Sequence, residues 1–298
     1  MERRYVIADV FTEAAFGGNP LAVFLDGAGL NARQMQAIAR EMNLSETTFV
    51  TPGSAPGRFR VRIFTPAKEL PFAGHPTVGT TVVLAEAGAT EGREEIVLEE
   101  GVGPVQVTLG PGRATLHRDG APERADCDIT AEQAADALGI AADAVAGAPW
   151  CAGYGLPYVF VRLGTVADVS ACALRTDRWL ALGGPLRDPY VFAFTDMRPG
   201  MRPGMRVGEV SLRARMFSPA NGIPEDPATG SAAAALAGSL DGTTVPGGVM
   251  RLTIAQGVEM GRPSRIETAT RLEDGRVAAV SVGGGVVLVG EGRLLKLP

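Results

Sequence analysis

Two stretches of the chain carry most of its candidate chemistry: FTPAKELPFAGHPTVGTTVVLAE at residues 64–86 and FSPANGIPEDPATGSAAAALAG at residues 217–238. In each, a glycine stands beside a polar residue at or just before a run that reads as a helix. These are Gly74-His75-Pro76 and Gly230-Ser231. The first backbone N–H groups of a helix have no partner within it, and the macrodipole makes that end positive. Glycine lets a ligand approach the backbone closely, and proline suits the first helical turn. Such an end suits a carboxylate, and two of them converging on one cleft would hold one from both sides. The same residues also serve as plain caps of core helices, and the pattern alone leaves both readings open.

Other candidate side chains flank these points. Asp226, in PEDPATGS, lies in a Pro-restrained loop five residues before Ser231; it either accepts a hydrogen bond from substrate or caps the helix. Glu225 beside it reads as a solvated residue. Glu46, in MNLSETTFV, stands at the entrance of an apolar strand, where partial burial raises a carboxyl pKa and suits it to general acid–base work. On spacing alone, an exposed surface glutamate is the commoner outcome. His75 is a donor to a substrate oxygen or a satisfied structural histidine. His117, in a polar alternation, reads as a strand residue, and Asn19, in FGGNPLAVF, as a turn residue before a strand. No Ser/His/Asp triad, phosphate loop or dinucleotide fingerprint is present. GYG at 153–155 lacks the following glycines, and GGG at 283–285 reads as a turn between strands.

The elements that must position these residues are mostly strands. RYVIADVF, LAVFLD, RFRVRIFT, YVFVRL, MRLTIAQG and similar runs alternate apolar and polar residues, as half-buried β-structure does. LNARQMQAIAREMN (30–43) reads as an amphipathic helix capped by Asn31, with Leu30, Met35, Ile38 and Met42 on one face. TAEQAADALG (130–139) reads as a second, begun by Thr130 and stopped by Gly139, with AADAVAG as a possible extension. The helices after the two motifs differ: Pro76 to Ala85 and Ser231 to Leu240 contain no charged residue. A helix uncharged all round is a buried one. Phe64 to Pro71 aligns with Phe217 to Pro224 at a spacing of 153, near half of the 298-residue length. The expectation is an α+β fold of two similar β-rich halves, each curled around a buried central helix. DGAPERADCDIT reads as a linker between them, and MRPGMRPGM (197–205) as a surface turn or a lid.

Bulk composition narrows the class. The chain is 46% hydrophobic and 20% charged, with 33 acidic and 28 basic residues and a net charge of −5. That balance argues against nucleic acid or an anionic membrane as partner. Three cysteines (Cys127, Cys151, Cys172) stand in no metal or redox spacing, which fits a reduced cytoplasm. The two histidines stand apart from any carboxylate or cysteine cluster, so no metal site is expected. MERRYVIADVF reads as a first strand rather than a secretion signal, and no stretch approaches a membrane span.

Taken together, DVFTEAAFGGNPLAVF, NLSETTFV, FTPAKELPFAGHPTVGT and FSPANGIPEDPATGSA resemble the phenazine-biosynthesis PhzF-like isomerase family. GLPYVFV (155–161), RMFSP (215–219) and the closing VGEGRLLKLP extend the resemblance nearly end to end. It implies the diaminopimelate-epimerase-like fold. The expected division is residues 1–120 with about 281–298 as one half, carrying Glu46 and His75, and residues 121–280 as the other, carrying Asp226 and Ser231, with the active-site cleft between them. By resemblance, Glu46 is the general acid/base that moves a proton between substrate carbons. His75, Asp226 and Ser231 orient the substrate and assist, and Gly74 and Gly230 hold it near the helix starts. Asn19 matches a family motif and is assigned no role. Related epimerases and racemases place a cysteine at each helix start, where this chain has His75 and Ser231. The resemblance therefore implies a cofactor-independent isomerase acting on a small carboxylate-bearing molecule, a cytoplasmic homodimer. Two alternatives stay open: an amino-acid epimerase or racemase, and a non-catalytic small-molecule-binding homologue.

Overall fold

The chain is described from a computed structural model, which covers residues 2–183, 188–195, 209–240 and 249–298. The MRPGMRPGM stretch lies outside the described residues. The chain divides into two compact units, Met1–Arg118 with Val282–Pro298, and Asp119–Ser281.

The first unit contains β1 (Arg3–Val10), β2 (Asn19–Phe24), α1 (Ala32–Met42), β3 (Glu46–Pro52), β4 (Arg58–Phe64), β5 (Glu69–Leu70), α2 (Gly74–Glu86), β6 (Glu95–Glu100), β7 (Gly103–Gly110) and β8 (Arg113–Asp119). Strands β2 and β3 are buried on both faces because a helix covers each side. Ala22, Phe24, Phe49 and Phe64 pack with Met35, Ile38 and Ala39 of α1. Phe24 and Phe49 stack at 5.0 Å between ring centres, and Phe64 meets Phe49 edge-on at 5.7 Å. The apolar stripe of α1 faces them, and its N-terminus is closed by a capping box between Asn31 and Gln34. On the other face lies α2, buried from Gly74 to Leu84 and packed against β1, β2, β3 and β7. Its absence of charge is the condition for this burial. Gly79 sets the approach of helix to strands: a β-carbon there would lie 2.6 Å from both Leu21 Cδ2 and Val10 Cγ2.

The second unit holds β9 (Glu123–Ala125), α3 (Ala131–Leu138), β10 (Trp150–Tyr154), β11 (Leu156–Arg162), α4 (Val166–Ala171), α5 (Thr176–Gly183), β12 (Asp188–Phe194), β13 (Glu209–Ser218), β14 (Ile223–Asp226), α6 (Gly230–Ser239), β15 (Val249–Gln256) and β16 (Ser264–Glu273). A last strand, β17 (Arg276–Leu294), runs through the boundary residues and pairs antiparallel with β1. Val159, Val161 and Val191 face a layer of Leu138, Val169 and Trp179 from the outer helices. The Ala-rich α6 is buried and packs against β10, β11 and β16.

The internal echo of the sequence is an echo of pairing order. In the first unit β2 runs parallel to β3, β3 antiparallel to β4, β4 antiparallel to the short β5 and parallel to β6. In the second, β11 runs parallel to β12, β12 antiparallel to β13, β13 antiparallel to β14 and parallel to β15. One polar device recurs with it. Arg62 makes two 2.7 Å bonds to Glu69 and lies over Phe64; Arg215 bonds Glu225 at 2.7 and 2.8 Å and lies over Phe217. Each pair ties a strand to the segment that folds back on it. A bidentate Arg–carboxylate geometry is the strong form of such a bond.

Several expectations need correction. Glu225 is not a solvated residue but the partner of a buried arginine, because its strand lies against β13. Asp226 ends strand β14 rather than sitting in a loop. Residues 283–285 are no turn: they lie inside β17, where a β-carbon on Gly283 would come within 2.3 Å of Thr115 Oγ1. The stretch read as a linker contains β9, and AADAVAG does not extend α3, which stops at the left-handed Gly139.

Gly79→Val is expected to destabilise the protein by about 1–3 kcal/mol, the usual cost of overpacking a filled core. Gly290→Ala, where an added carbon meets nothing within 4 Å, should stay within about 0.5 kcal/mol. Chemical denaturation of the two variants checks this.

Candidate active site

In the first unit, three elements bring their first residues together. Leu21 of β2 lies opposite Glu46 of β3 in a parallel register, so Asn19 and Glu46 enter from the same end on the same face. That face looks toward α2, where Thr80 Oγ1 meets Thr48 Oγ1 at 2.9 Å. His75, in the first turn of α2, therefore meets both residues. Asn19 Nδ2 lies 3.2 Å from His75 Nδ1, and His75 Nε2 lies 3.4 Å from Glu46 Oε2. All three are buried: Asn19 is 0%, His75 3% and Glu46 8% exposed.

The chemistry follows from the atoms. Burial pushes the His75 imidazole down to about 3, so it is neutral. With the Asn19 amide nitrogen donating to Nδ1, the remaining proton sits on Nε2, which lies near Glu46 without a hydrogen bond to it. Thus Glu46 is not an exposed surface residue, and Asn19 is not a turn residue: it is the first residue of a strand and assigns the imidazole its donor end. Sequence reasoning missed this because the register of β2 against β3, and the place of α2 over both, are long-range facts.

In the second unit, the turn before α6 is built by a buried glutamine that the motifs gave no reason to single out. Gln256, the last residue of β15 and 0% exposed, donates from Nε2 to Asp226 O at 2.8 Å and to Thr229 Oγ1 at 3.0 Å. Its Oε1 accepts from Tyr190 Oη at 3.2 Å and from Thr229 N at 3.4 Å. Thr229 Oγ1 in turn donates to Asp226 Oδ2 at 2.5 Å. Ser264 Oγ adds a bond to Pro227 O at 2.8 Å. Asp226 is therefore held by the turn rather than acting as the helix cap, which is Thr229. Ser231, one residue into α6, meets Tyr158 Oη at 2.7 Å.

The two buried helices share a further property. α1, α3 and α4 all begin with a capping box, whereas α2 and α6 begin at Ala73 and Thr229 with no side-chain cap bond. Gly74 and Gly230 are the first helical residues at these uncapped ends. The thiols stand elsewhere: Cys151 and Cys172 are buried, and burial pushes the Cys172 thiol up to about 12. His117 is a strand residue bonded to Thr108 at 2.7 Å. Among the described residues, no group of three or more His, Cys, Asp or Glu is arranged to hold a metal ion, and no helix is long and apolar enough to cross a membrane.

Residues 8–292 match the family model described as phenazine biosynthesis-like protein. The chain is 41% identical to an uncharacterised isomerase of Mesorhizobium japonicum, covering 98% of both chains. It is 39% identical to the trans-2,3-dihydro-3-hydroxyanthranilate isomerase of Pseudomonas aeruginosa, covering 97% of this chain and 98% of that one. Among solved structures, a PhzF family protein from Bacillus anthracis superposes with a TM-score of 0.85 at 23% identity, covering 99% of this chain and 100% of that one. A predicted epimerase from Pseudomonas aeruginosa gives 0.78 at 30%, covering 99% of each. A probable proline racemase from Agrobacterium radiobacter gives 0.62 at 13%, covering 99% and 93%, a likeness of fold alone. The chain belongs to the phenazine biosynthesis-like PhzF family. It is an isomerase, with a strand-rich mixed α/β fold consistent with the diaminopimelate-epimerase-like class.

The assignment of the imidazole is open to direct measurement. ¹⁵N NMR of His75 should report a neutral ring protonated on Nε2 from pH 8 down to about 5, since burial holds its pKa well below that range. Asn19→Ala should lose the tautomer preference while the ring stays neutral.

Proposed function

We propose that the protein catalyses a cofactor-independent proton shift within a small, conjugated, carboxylate-bearing molecule, with Glu46 as the general acid/base. The observation that carries this reading is the buried array Asn19–His75–Glu46 at the uncapped start of α2. A carboxylate at this position is a base without bulk water around it, and a neutral imidazole beside it is a hydrogen-bond donor that does not neutralise it.

In the proposed reaction, a Glu46 oxygen takes a proton from an acidic C–H of the substrate. The C–H electron pair moves into the conjugated system and gives a dienolate, with its charge spread onto the carboxylate oxygens. Glu46, now protonated, returns the proton to another carbon of that system. Atoms and electrons balance within the substrate, and no oxidant or reductant enters. His75 Nε2–H and the first backbone N–H groups of α2 (Gly74 and His75) and of α6 (Gly230, Ser231 and Ala232) would donate to the developing negative charge. Asp226 and Ser231 would orient the substrate's polar groups, Ser231 with the Tyr158 hydroxyl beside it. The trans-2,3-dihydro-3-hydroxyanthranilate named for the Pseudomonas aeruginosa relative has the required carboxylate and conjugated ring, and is the first substrate to test.

Epimerisation by a pair of thiols is the weaker reading, because the two helix starts carry His75 and Ser231 rather than cysteine. Chiral analysis of the product separates the two. General acid–base participation is typically worth about 10²–10⁴-fold, so Glu46→Gln should lower turnover of trans-2,3-dihydro-3-hydroxyanthranilate by at least about 10²-fold. In D₂O, NMR of the wild-type product should find hydrogen or deuterium delivered to a new carbon. Full turnover by Glu46→Gln, or a product with every C–H in place, removes the proposal.

A further inference from the structure

Thr77, in the first turn of α2, has one hydroxyl proton and two close oxygens. Its Oγ1 lies 2.7 Å from Ala73 O and 2.7 Å from Glu100 Oε1. Both contacts call on the one Thr77 proton. A carbonyl can never supply a proton of its own whereas a carboxyl can, so the assignment that satisfies both gives the Thr77 proton to Ala73 O. This is the same back-bond to the preceding turn that Thr81 makes to Thr77 O at 2.8 Å. The contact with Glu100 then needs a proton from the other side, from a carboxylic acid. A carboxylate there would set two lone pairs against each other at 2.7 Å.

The surroundings agree. Thr77 is 0% and Glu100 8% exposed, and Glu100 Oε2 is buried with no hydrogen-bond partner among the described residues. Desolvation pushes the Glu100 carboxyl up to about 8, against the pull of Thr77 and of the Arg118 charge on β8. Glu100 ends β6 in the wall of a groove of about 590 Å³. The other charged groups lining it are Arg60 and Arg62 of β4, Glu69 of β5 and Glu99 of β6. Arg62 is engaged by Glu69, and Glu99 by Arg58. On α2 itself, His75 is neutral.

We propose that Glu100 is a positioning residue for the reaction: as an uncharged acid it donates to Thr77 and locks the first turn of α2, and its ionisation places a negative charge beneath the helix end that receives the substrate's carboxylate. The inference rests on the proton-shift reading for its effect on catalysis, but not for the state of the acid. Ionisation should weaken binding of an anion while leaving the bound complex competent, so the alkaline loss falls on KM and not on kcat.

The test combines ¹³C-carboxyl NMR titration of the full chain with pH profiles of kcat and KM for trans-2,3-dihydro-3-hydroxyanthranilate, on wild type and Glu100→Gln. The expected Glu100 midpoint is near 8, outside the ordinary carboxylate range. Wild-type KM should rise toward about tenfold per pH unit above that midpoint. Glu100→Gln, which keeps an N–H donor for Thr77 and cannot ionise, should abolish that rise. Stability gives a readout without turnover. A carboxyl whose folded pKa is raised contributes stability below its unfolded pKa and loses it as pH climbs to the folded one. Wild-type Tm should therefore fall relative to Glu100→Gln between about pH 4.5 and 8. A Glu100 midpoint below about 6, an alkaline limb that persists in Glu100→Gln, or a limb that falls on kcat overturns the proposal. Should the amide variant fail to fold, Glu100→Asp supplies the NMR assignment and the wild-type midpoint decides. Full turnover by Glu46→Gln alongside a midpoint near 8 overturns the proton-shift reading and upholds the neutral acid.

Discussion

Burying the N-terminal turn of a helix without a side-chain cap is the constraint on which the site depends. The first backbone N–H groups of α2 and α6 cannot be satisfied within their own helices, and burial removes most of the water that would otherwise serve them. Elsewhere the protein follows the ordinary remedy, with capping boxes at α1, α3 and α4. At the two buried starts it places glycine instead. Such helix ends suit an anion, which is the physical argument behind the proposed carboxylate-bearing substrate.

Neutrality around these helix ends is an active arrangement. His75 lies beside a carboxylate, a setting that ordinarily favours the imidazolium, yet burial keeps it uncharged and Asn19 fixes which nitrogen carries the proton. Glu100 is an acid beneath the same turn, where burial holds its proton and the Thr77 hydroxyl receives it. In the second unit, Gln256, Thr229 and Tyr190 form a network in which each proton has an acceptor and the Asp226 carboxylate takes the last one. The result is a small number of full charges among many oriented dipoles, the environment in which developing charge on a substrate is most strongly felt.

The duplication explains how one chain arrives at two such ends. The recurring order of strand pairings carries the buried helix to an equivalent position in each unit, and the Arg62–Glu69 and Arg215–Glu225 pairs hold the turn that leads into it. The two copies have diverged where chemistry matters. One has an imidazole near a carboxylate, the other a serine near a tyrosine hydroxyl and an aspartate fixed by its turn.

Local pattern carried a good part of this into view. The caps Asn31 and Thr130, the stop at Gly139 and the two uncharged helices are decided within a few residues of chain, by side chains bonding their own backbone and by the absence of anything that must reach water. Glu46, His75, Asp226 and Ser231 were legible as candidates because their neighbours are distinctive. Their partners were not. Asn19 reaches His75 across 56 positions, Gln256 reaches Thr229 across 27, and Thr77 reaches Glu100 across 23. Whether a carboxyl is exposed or sealed, and which nitrogen of an imidazole bears a proton, depends on the register of parallel strands and on which helix covers them. Those are properties of contacts between distant segments, and only the folded chain decides them.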